Sequence, residues 1–227
     1  MRFFMIFAFL FPLVMVAAQD QPPHEGWLKY DPDFSFKEGI YANFEMVKAN
    51  SPIPKTRIVT DIDFFDSDFY DKLTQLKKIS FYDDNGVLQE IGTQNLWGYG
   101  RNGILYIHIA QGYHRISYFG SISHLVATIT IYNNPNYEPY YYYNSYNAYR
   151  YMGSPSSYTT TEVRQYLLDF STGDVLDYTV ESVEILLMKD PELHDEFAAL
   201  RNRQKKQMKF VYIRKFNERH PLWFPPA

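Results

Sequence analysis

The sequence LWGYGRNGILYIHIAQGYHRISYFG, residues 96–120, decides the fold that we expect for this chain. Its apolar and aromatic runs, at residues 95–99, 103–110 and 113–120, have the length and composition of β-strands. Arg101-Asn102-Gly103 separates the first two runs and is typical of a tight hairpin turn, because Asn and Gly tolerate positive φ angles. The stretch therefore predicts consecutive antiparallel strands.

Similar short runs continue this pattern on both sides. Asp83-Asp84-Asn85-Gly86 and Ser171-Thr172-Gly173 are further turn sequences between them. Short strands joined by such turns indicate an antiparallel β-meander, which is either a strongly curved sheet or an open barrel. The additional predicted strands are residues 57–62, 78–82, 87–91, 125–132, 164–170 and 174–178.

Helical periodicity appears before and after the predicted sheet. In residues 34–50, Ile40, Phe44 and Val47 recur at helical spacing and predict a short N-terminal helix of about two turns. Pro52 follows this segment and ends it, because proline disfavours helix in the residue before it.

After the last predicted strand, Thr179 and Asp190 are each placed to cap a helix, and Pro191 occupies a favourable first helical position. An apolar stripe over about 25 residues then predicts a long C-terminal amphipathic helix. The fold class that we expect is therefore α+β, an antiparallel meander with a short N-terminal and a long C-terminal helix. The stripe consists of Leu193, Phe197, Leu200, Met208, Val211 and Phe216.

The expected organisation is a single α+β domain at residues 34–220 with a segment at either end. Residues 1–18 are predicted to be a signal peptide, residues 19–33 a flexible N-terminal linker and residues 221–227 a C-terminal tail. A Tyr-rich inserted loop is predicted at residues 133–158.

The N-terminal sequence MRFFMIFAFLFPLVMVAAQ predicts export. Arg2 precedes an apolar run at residues 3–16, and small residues up to Ala18 match a signal-peptidase site. The run is shorter than the roughly 20 residues of a membrane span. The chain has 0 cysteines, so we expect neither disulfides nor a lipid anchor on cysteine. The expected location is periplasmic or secreted, with no transmembrane segment after cleavage.

Charge restricts the class of partner. The chain has 22 Lys and Arg against 26 Asp and Glu, a formal net charge of −4, so we expect no nucleic-acid partner. Residues 190–227 hold 8 basic and 5 acidic side chains, whereas residues 19–189 hold 13 basic and 21 acidic ones. The basic residues at 201–209 indicate either a solvated helix face or a contact for an anionic partner.

Ten of the 21 tyrosines lie between residues 132 and 158, including Tyr140–Tyr143 in a row. A tyrosine offers a large flat contact surface with a polar tip. This segment therefore predicts contact with an envelope protein or a glycan. The alternative is a hairpin extension that binds no ligand.

A cluster of acids in DIDFFDSDFYD raises the hypothesis of a calcium loop. Counted from Asp61, however, the fifth position is Phe65 and no glycine follows at the sixth, so the EF-hand pattern is missing. The alternative is a solvated acidic loop with its Phe side chains packed inward. The five acids are Asp61, Asp63, Asp66, Asp68 and Asp71.

Histidines raise a second metal hypothesis. If Ala110-Gln111-Gly112 forms a three-residue hairpin loop, His108 and His114 lie opposite each other on one face. A third donor such as His124 would then complete a zinc or copper site. The alternative is an exposed or hydrogen-bonded pair of histidines.

Catalytic sequence motifs, such as the GxSxG elbow or the P-loop, are missing. Gly98, Gly100 and Gly103 in WGYGRNG are interpreted as turn glycines, because strands rather than a helix flank them. Carboxylates for glycoside hydrolysis pair in space rather than in sequence, so the sequence neither nominates nor excludes them. We therefore assign no catalytic, cofactor-binding or metal residue and no cofactor.

Three blocks together resemble a family of small secreted proteins of unknown function from Bacteroidetes-type bacteria. They are FKEGIYANFEMVKANSP, LWGYGRNGILYIHI followed by YHRISYFG, and YLLDFSTGDVLDYTVESVEILLMKDPELHDEFAAL with KFNERHP. The resemblance covers most of the chain except the Tyr-rich segment. It implies the envelope of a Gram-negative cell and brings no activity, cofactor or catalytic residue.

The function that we expect is a non-enzymatic binding or interaction module of the cell envelope. The alternative is an envelope hydrolase that acts on polysaccharide or peptide.

Overall fold

The computed structural model describes residues 24–133 and 158–226. The predicted signal peptide and nearly all of the Tyr-rich segment lie outside this part of the chain. The described strands and helices are β1 (Leu28–Lys29), β2 (Gly39–Tyr41), α1 (Phe44–Lys48), β3 (Ile58–Val59), α2 (Phe69–Thr74), β4 (Lys78–Tyr82), β5 (Leu88–Gly92), β6 (Gly98–Arg101), β7 (Ile104–Ile109), β8 (Gly112–Tyr118), β9 (Ile122–Asn133), β10 (Tyr158–Asp169), β11 (Val175–Asp177), α3 (Val180–Leu187), α4 (Pro191–Ala198), α5 (Asn202–Arg219) and β12 (Trp223–Phe224).

The strands form antiparallel sheets, which confirms the α+β class. The largest sheet has the strand order β11-β10-β9-β8-β7-β6-β2, so the six consecutive strands β6 to β11 form the predicted meander. This sheet is open, with β11 and β2 at its edges. Strands β3, β4 and β5 form a small second sheet, and β1 pairs with β12.

The predicted turn at Asn102-Gly103 is confirmed. Arg101 pairs with Ile104, and the two residues between them have φ angles of 51° and 76°. Both central residues of a type I′ turn need positive φ, which Asn and Gly adopt at little steric cost. Local turn chemistry therefore sets the register between β6 and β7.

The seven-stranded sheet is covered on both faces, as β7 illustrates. Leu105 and Ile107 point to one face, where they join an aromatic core built with Phe36, Phe170 and Phe224. The alternate residues of β7 point to the other face because side chains alternate along a strand. There they meet the small sheet and α2.

A bulge in β8 lets the helices cover the rest of that second face. The register of β8 against β9 shifts between Ile116 and Tyr118. Ile116 belongs to the aromatic core, whereas Tyr118 packs against the helix core of α3, α4 and α5. An extra residue in a strand reverses the side-chain alternation, so the two side chains point to opposite faces.

The predicted N-terminal helix is present but shorter than expected. Asn43 caps α1 by accepting a hydrogen bond from the backbone N–H of Met46 at 3.0 Å. Ile40 lies in β2 rather than in this helix, because it forms a bridge to Ile53 and pairs with Tyr99. Sheet pairing has overridden the helical spacing of the sequence.

The Thr179 and Asp190 caps are confirmed, but the apolar stripe that follows is divided between α4 and α5. The backbone of Arg201 is extended, and its N–H donates to the side chain of Gln204 at 3.2 Å, which starts α5 afresh. The break lets α4 and α5 pack beside each other, with Phe197 and Ile213 in the same core.

Segments outside the predicted domain boundaries also contribute to the aromatic core. β1 and β12 pair through Leu28 with Phe224 and Lys29 with Trp223. The ring of Phe34 stacks on that of Phe224, with a centroid distance of 4.4 Å. Both ends of the described chain are therefore held against the sheet.

None of the helices between residues 24 and 133 or between 158 and 226 is both long and apolar enough to cross a bilayer.

Asp190 links the start of α4 to the end of α5. It accepts hydrogen bonds from the N–H of Leu193 at 3.1 Å and from Nε2 of His220 at 3.0 Å, and Arg219 lies 3.5 Å away. Burial alone would raise the pKa of the Asp190 carboxyl. The hydrogen bonds from Leu193 and His220 and the charge of Arg219 together have the larger, opposite effect, so the pKa lies below its usual value.

We expect Asp190→Asn to lower the free energy of unfolding by about 1–2 kcal/mol at pH 7, because asparagine keeps the helix cap but loses the charge. A lowered folded-state pKa stabilises the fold above the unfolded-state pKa, and this stabilisation is lost as pH falls through the folded-state value. Urea unfolding should therefore show the difference between Asp190→Asn and wild type vanishing in acid. Asp195→Asn on the exposed side of α4 is the control. A loss of stability for Asp190→Asn that is the same at pH 7 and in acid would contradict the charge argument.

Candidate functional site

A polar cleft of about 440 Å³ opens where α2 and the helical turn Thr93–Asn95 meet the β7–β8 hairpin. We call it the His108 cleft, after the titratable side chain contributed by β7. Its lining combines one carboxylate and one imidazole with amides, hydroxyls and a phenol ring. The lining residues are Asp71, Thr74, Gln75, Thr93, Gln94, His108, Ala110, Gln111, Gly112 and Tyr113.

The turn between β7 and β8 sets one wall of the cleft. Its two central residues are Ala110 and Gln111, and Ala110 has a φ of 55°. A positive φ at the first central residue, which glycine usually occupies, gives a two-residue hairpin turn that matches the twist of the strands. This tight turn carries Gln111 to the rim of the cleft.

His108 lies half-buried beside Tyr113, its partner across the hairpin, and the two ring centroids are 4.9 Å apart at an interplanar angle of 33°. Burial lowers the pKa of the His108 imidazole. The ring is therefore neutral at pH 7, with one nitrogen donating and the other accepting hydrogen bonds. A neutral imidazole suits the recognition of an uncharged polar group.

Tyr113 is held in place by a hydrogen bond from its hydroxyl and by packing of its ring. Its hydroxyl donates to the carbonyl of Thr93 at 2.9 Å, and burial raises its pKa, so the phenol stays protonated. Its ring also contacts Tyr99, which stacks on Tyr70 at 4.8 Å and on Tyr106 at 4.9 Å. The floor of the cleft is thus the edge of a packed aromatic stack rather than an adjustable loop.

Asp71 is the one carboxylate of the described lining. One of its oxygens lies 3.3 Å from a guanidinium nitrogen of Arg101, outside the cleft. The hydroxyl of Thr74 donates to the backbone carbonyl of Asp71 at 3.2 Å, one turn earlier on α2. The carboxylate is therefore paired with a cation that lies outside the described lining of the cleft.

The expected opposition of His108 and His114 is wrong. The turn has two central residues rather than three, so His108 pairs with Tyr113 and His114 pairs with Ile107. A shift of one residue in a hairpin register moves a side chain to the other face of the sheet. The two imidazoles therefore point to opposite faces and do not ligate one metal ion.

His124 does not join either of them. Its Nε2 and Oε1 of Gln165 are 3.0 Å apart, and its ring lies against Tyr178 and Phe210. Among residues 24–133 and 158–226, no group of three or more His, Asp or Glu side chains is placed to hold a metal ion.

The acids between Asp61 and Asp71 do not converge either. Asp66 forms an ion pair with Lys72 and accepts from the N–H of Asp68 at 2.8 Å. Phe65 is 97% exposed, so the expected inward packing of the Phe side chains fails at this position. Of the five acids, Asp71 is the one that reaches the His108 cleft.

The interpretation of Gly98 and Gly100 as turn glycines is also wrong, since both lie within β6. A Cβ atom on Gly98 would lie 2.3 Å from the carbonyl oxygen of Tyr106, and one on Gly100 would lie 2.2 Å from that of Lys37. These glycines permit close approach of neighbouring backbones. Gly103 does lie in a turn, with a φ of 76°.

A cluster that the sequence analysis did not identify lies at the β10–β11 turn. The hydroxyl of Ser171 donates to Asp169 at 2.8 Å, and the ammonium of Lys189 donates to Ser171 at 2.6 Å and also to Asp169. A lysine acts as general base only when it is neutral. Because Lys189 is bound to a carboxylate as an ammonium, Ser171 is a turn residue rather than an activated nucleophile.

The amides of the His108 cleft were also missed. Gln75, Gln94 and Gln111 lie on three different elements, and no spacing rule joins such residues before the fold is known.

In comparisons with known proteins, no family model, no curated protein and no solved structure matches this chain.

Proposed function

We propose that this chain is an exported cell-envelope protein that acts as a non-enzymatic binding module. The observation that carries the proposal is the His108 cleft, which gathers hydrogen-bonding side chains around a rigid aromatic floor. Small-molecule sites place polar groups that fix the orientation of the ligand on a largely pre-formed surface, and the lining of this cleft is more polar than is usual for them. The location follows from the signal peptide that the sequence predicts at residues 1–18.

Binding accounts for the cleft better than hydrolysis does. A hydrolytic pair needs a carboxylate or imidazole that is free to exchange a proton with the substrate or to orient its partner. Asp71 faces Arg101 instead, and the ring of His108 makes no hydrogen bond to a described side chain that would orient it. The envelope hydrolase therefore remains the second candidate, favoured only by the presence of Asp71 and His108 in one cleft.

The Tyr-rich segment is proposed to add a second contact, to an envelope protein or glycan. Its two end residues, Asn133 and Tyr158, pair with each other where β9 ends and β10 begins. The two strands are thus close together where the segment leaves and returns. A shorter connection would still close the hairpin, which makes the segment removable without loss of the sheet.

Crosslinking pull-down from the native envelope tests the proposed function. We expect the wild-type chain to retain a partner, and we expect deletion of residues 137–151 to abolish this capture while leaving the thermal unfolding midpoint unchanged. Partner capture that is unchanged by the deletion would remove the Tyr-rich segment from the proposal. The absence of any captured partner, together with hydrolysis of an envelope polymer by the purified chain, would overturn the binding module in favour of the hydrolase.

A further inference from the structure

The charges of the His108 cleft restrict the class of its ligand. Its described lining has a single carboxylate, Asp71, which Arg101 already balances at 3.3 Å, and a neutral imidazole. An anion would meet no free cation here, and a metal ion would meet no set of carboxylates. A ligand without charge fits the cleft best.

The hydrogen-bonding groups of the cleft restrict the class of ligand further. The side chains of Gln75, Gln94 and Gln111 are exposed and that of His108 is half-buried. None of the four makes a hydrogen bond to another described residue. Each amide offers an acceptor oxygen beside an NH2 group that donates, and the neutral imidazole offers one donor and one acceptor nitrogen. An apolar ligand would displace the water that solvates these groups and would offer no hydrogen bond in its place, which disfavours its binding. Adjacent hydroxyls of a sugar present the same alternation of donor and acceptor.

The floor of the His108 cleft supplies aromatic rings against which a sugar ring can pack. The rings of His108 and Tyr113 lie against each other with a centroid distance of 4.9 Å, and Tyr113 is in turn packed against Tyr99 of the tyrosine stack. The C–H face of a pyranose packs against such rings, while its hydroxyls point to the rim. The volume of about 440 Å³ lies within the range of roughly 300–1,000 Å³ that is usual for small-molecule sites.

We infer that the His108 cleft binds an uncharged saccharide, whose ring packs on Tyr113 and His108 and whose hydroxyls bind Gln75, Gln94 and Gln111. The inference rests on the proposed binding function and specifies the ligand class of that same site. It assigns saccharide recognition to these five side chains and is separate from the second contact that is proposed for the Tyr-rich segment.

Titration of the purified chain followed by NMR tests the inference. The probes are N-acetylglucosamine, glucose and their β-1,4-linked disaccharides, with a neutral dipeptide and inorganic phosphate as comparison ligands. We expect at least one saccharide to shift the side-chain amide signals of Gln75, Gln94 and Gln111 in the wild type. This measurement needs no variant and is therefore independent of any folding defect.

His108→Ala and Gln94→Ala are expected to weaken saccharide binding at least tenfold. His194→Ala and Gln207→Ala, on the helices α4 and α5, are the matched controls and should bind as the wild type does. Saccharide binding that shifts other signals, or that both cleft variants retain, would overturn the site.

Binding of the dipeptide or of phosphate in place of any saccharide would overturn the ligand class. A partner captured from the envelope in that case would leave the proposed binding function standing. The absence of both saccharide binding and envelope capture would overturn the inference and the proposed function together.

Discussion

Gly100→Ala is expected to lower the free energy of unfolding by about 3 kcal/mol or more, which is among the largest effects of a single methyl group. Gly100 lies in β6 between β2 and β7. A Cβ atom at this position would lie 2.2 Å from the carbonyl oxygen of Lys37 and 3.3 Å from Cε2 of Tyr41. The oxygen belongs to a backbone and the ring to a fully buried side chain, so neither moves aside without opening the sheet.

Gly92→Ala is the matched control for this substitution. Gly92 also lies in a strand, has a φ of −67° and would place its Cβ atom no closer than 3.4 Å to the side chain of Gln94. Alanine fits that conformation and reduces the entropy of the unfolded chain, so we expect no loss and a gain of up to about 1 kcal/mol. Urea unfolding of both variants provides the comparison, and similar stabilities would show that the backbone of Lys37 does not approach β6 as closely as described.

Phe197→Ala is expected to cost about 3–5 kcal/mol, since it empties the centre of the helix core. Phe197 is fully buried between α3 and α5, and its ring lies 5.1 Å from that of Tyr212 in an edge-to-face contact. The Nζ of Lys205 lies 5.6 Å from the centre of the same ring. Helices that surround it on several sides have little freedom to collapse into the cavity.

Phe210→Ala removes the same side chain from α5 and is the control. Phe210 is 37% exposed and makes ring contacts with Tyr118 and His124 at the surface of the sheet. We expect it to cost about 1 kcal/mol, because water replaces part of the lost contact. Calorimetric unfolding of both variants measures the difference, and a loss for Phe210→Ala as large as that for Phe197→Ala would contradict the placement of the helix core.

Local sequence signals predicted the elements that depend on neighbouring residues alone. Asn102-Gly103 forms the expected turn, and Thr179 and Asp190 cap the expected helices. The physical reason is that positive φ angles and side-chain caps involve only a few consecutive residues. Where sheet pairing competes with local spacing, as at Ile40, the tertiary structure decides instead.

The His108 cleft depends almost entirely on contacts between residues that are far apart in the sequence. The amides of the His108 cleft come from α2, the turn after β5 and the β7–β8 hairpin, and no periodic pattern connects them. The Gly98 and Gly100 pair has the same character, since the need for glycine arises from the backbones of Tyr106 and Lys37. Contacts between residues that are distant in the sequence cannot be predicted from the spacing of residue types along the chain.

Alternation and turn chemistry act over a few residues, so they were enough to predict the α+β class, the meander and the turns at Asn85-Gly86, Asn102-Gly103 and Thr172-Gly173. The face that each histidine occupies depends instead on how the strands pair. A hairpin with one residue fewer in its turn moved His114 away from His108 and left His108 facing Tyr113 and the cleft. Because the side-chain period of a strand is two, that single residue of register separates a metal pair from a polar binding site.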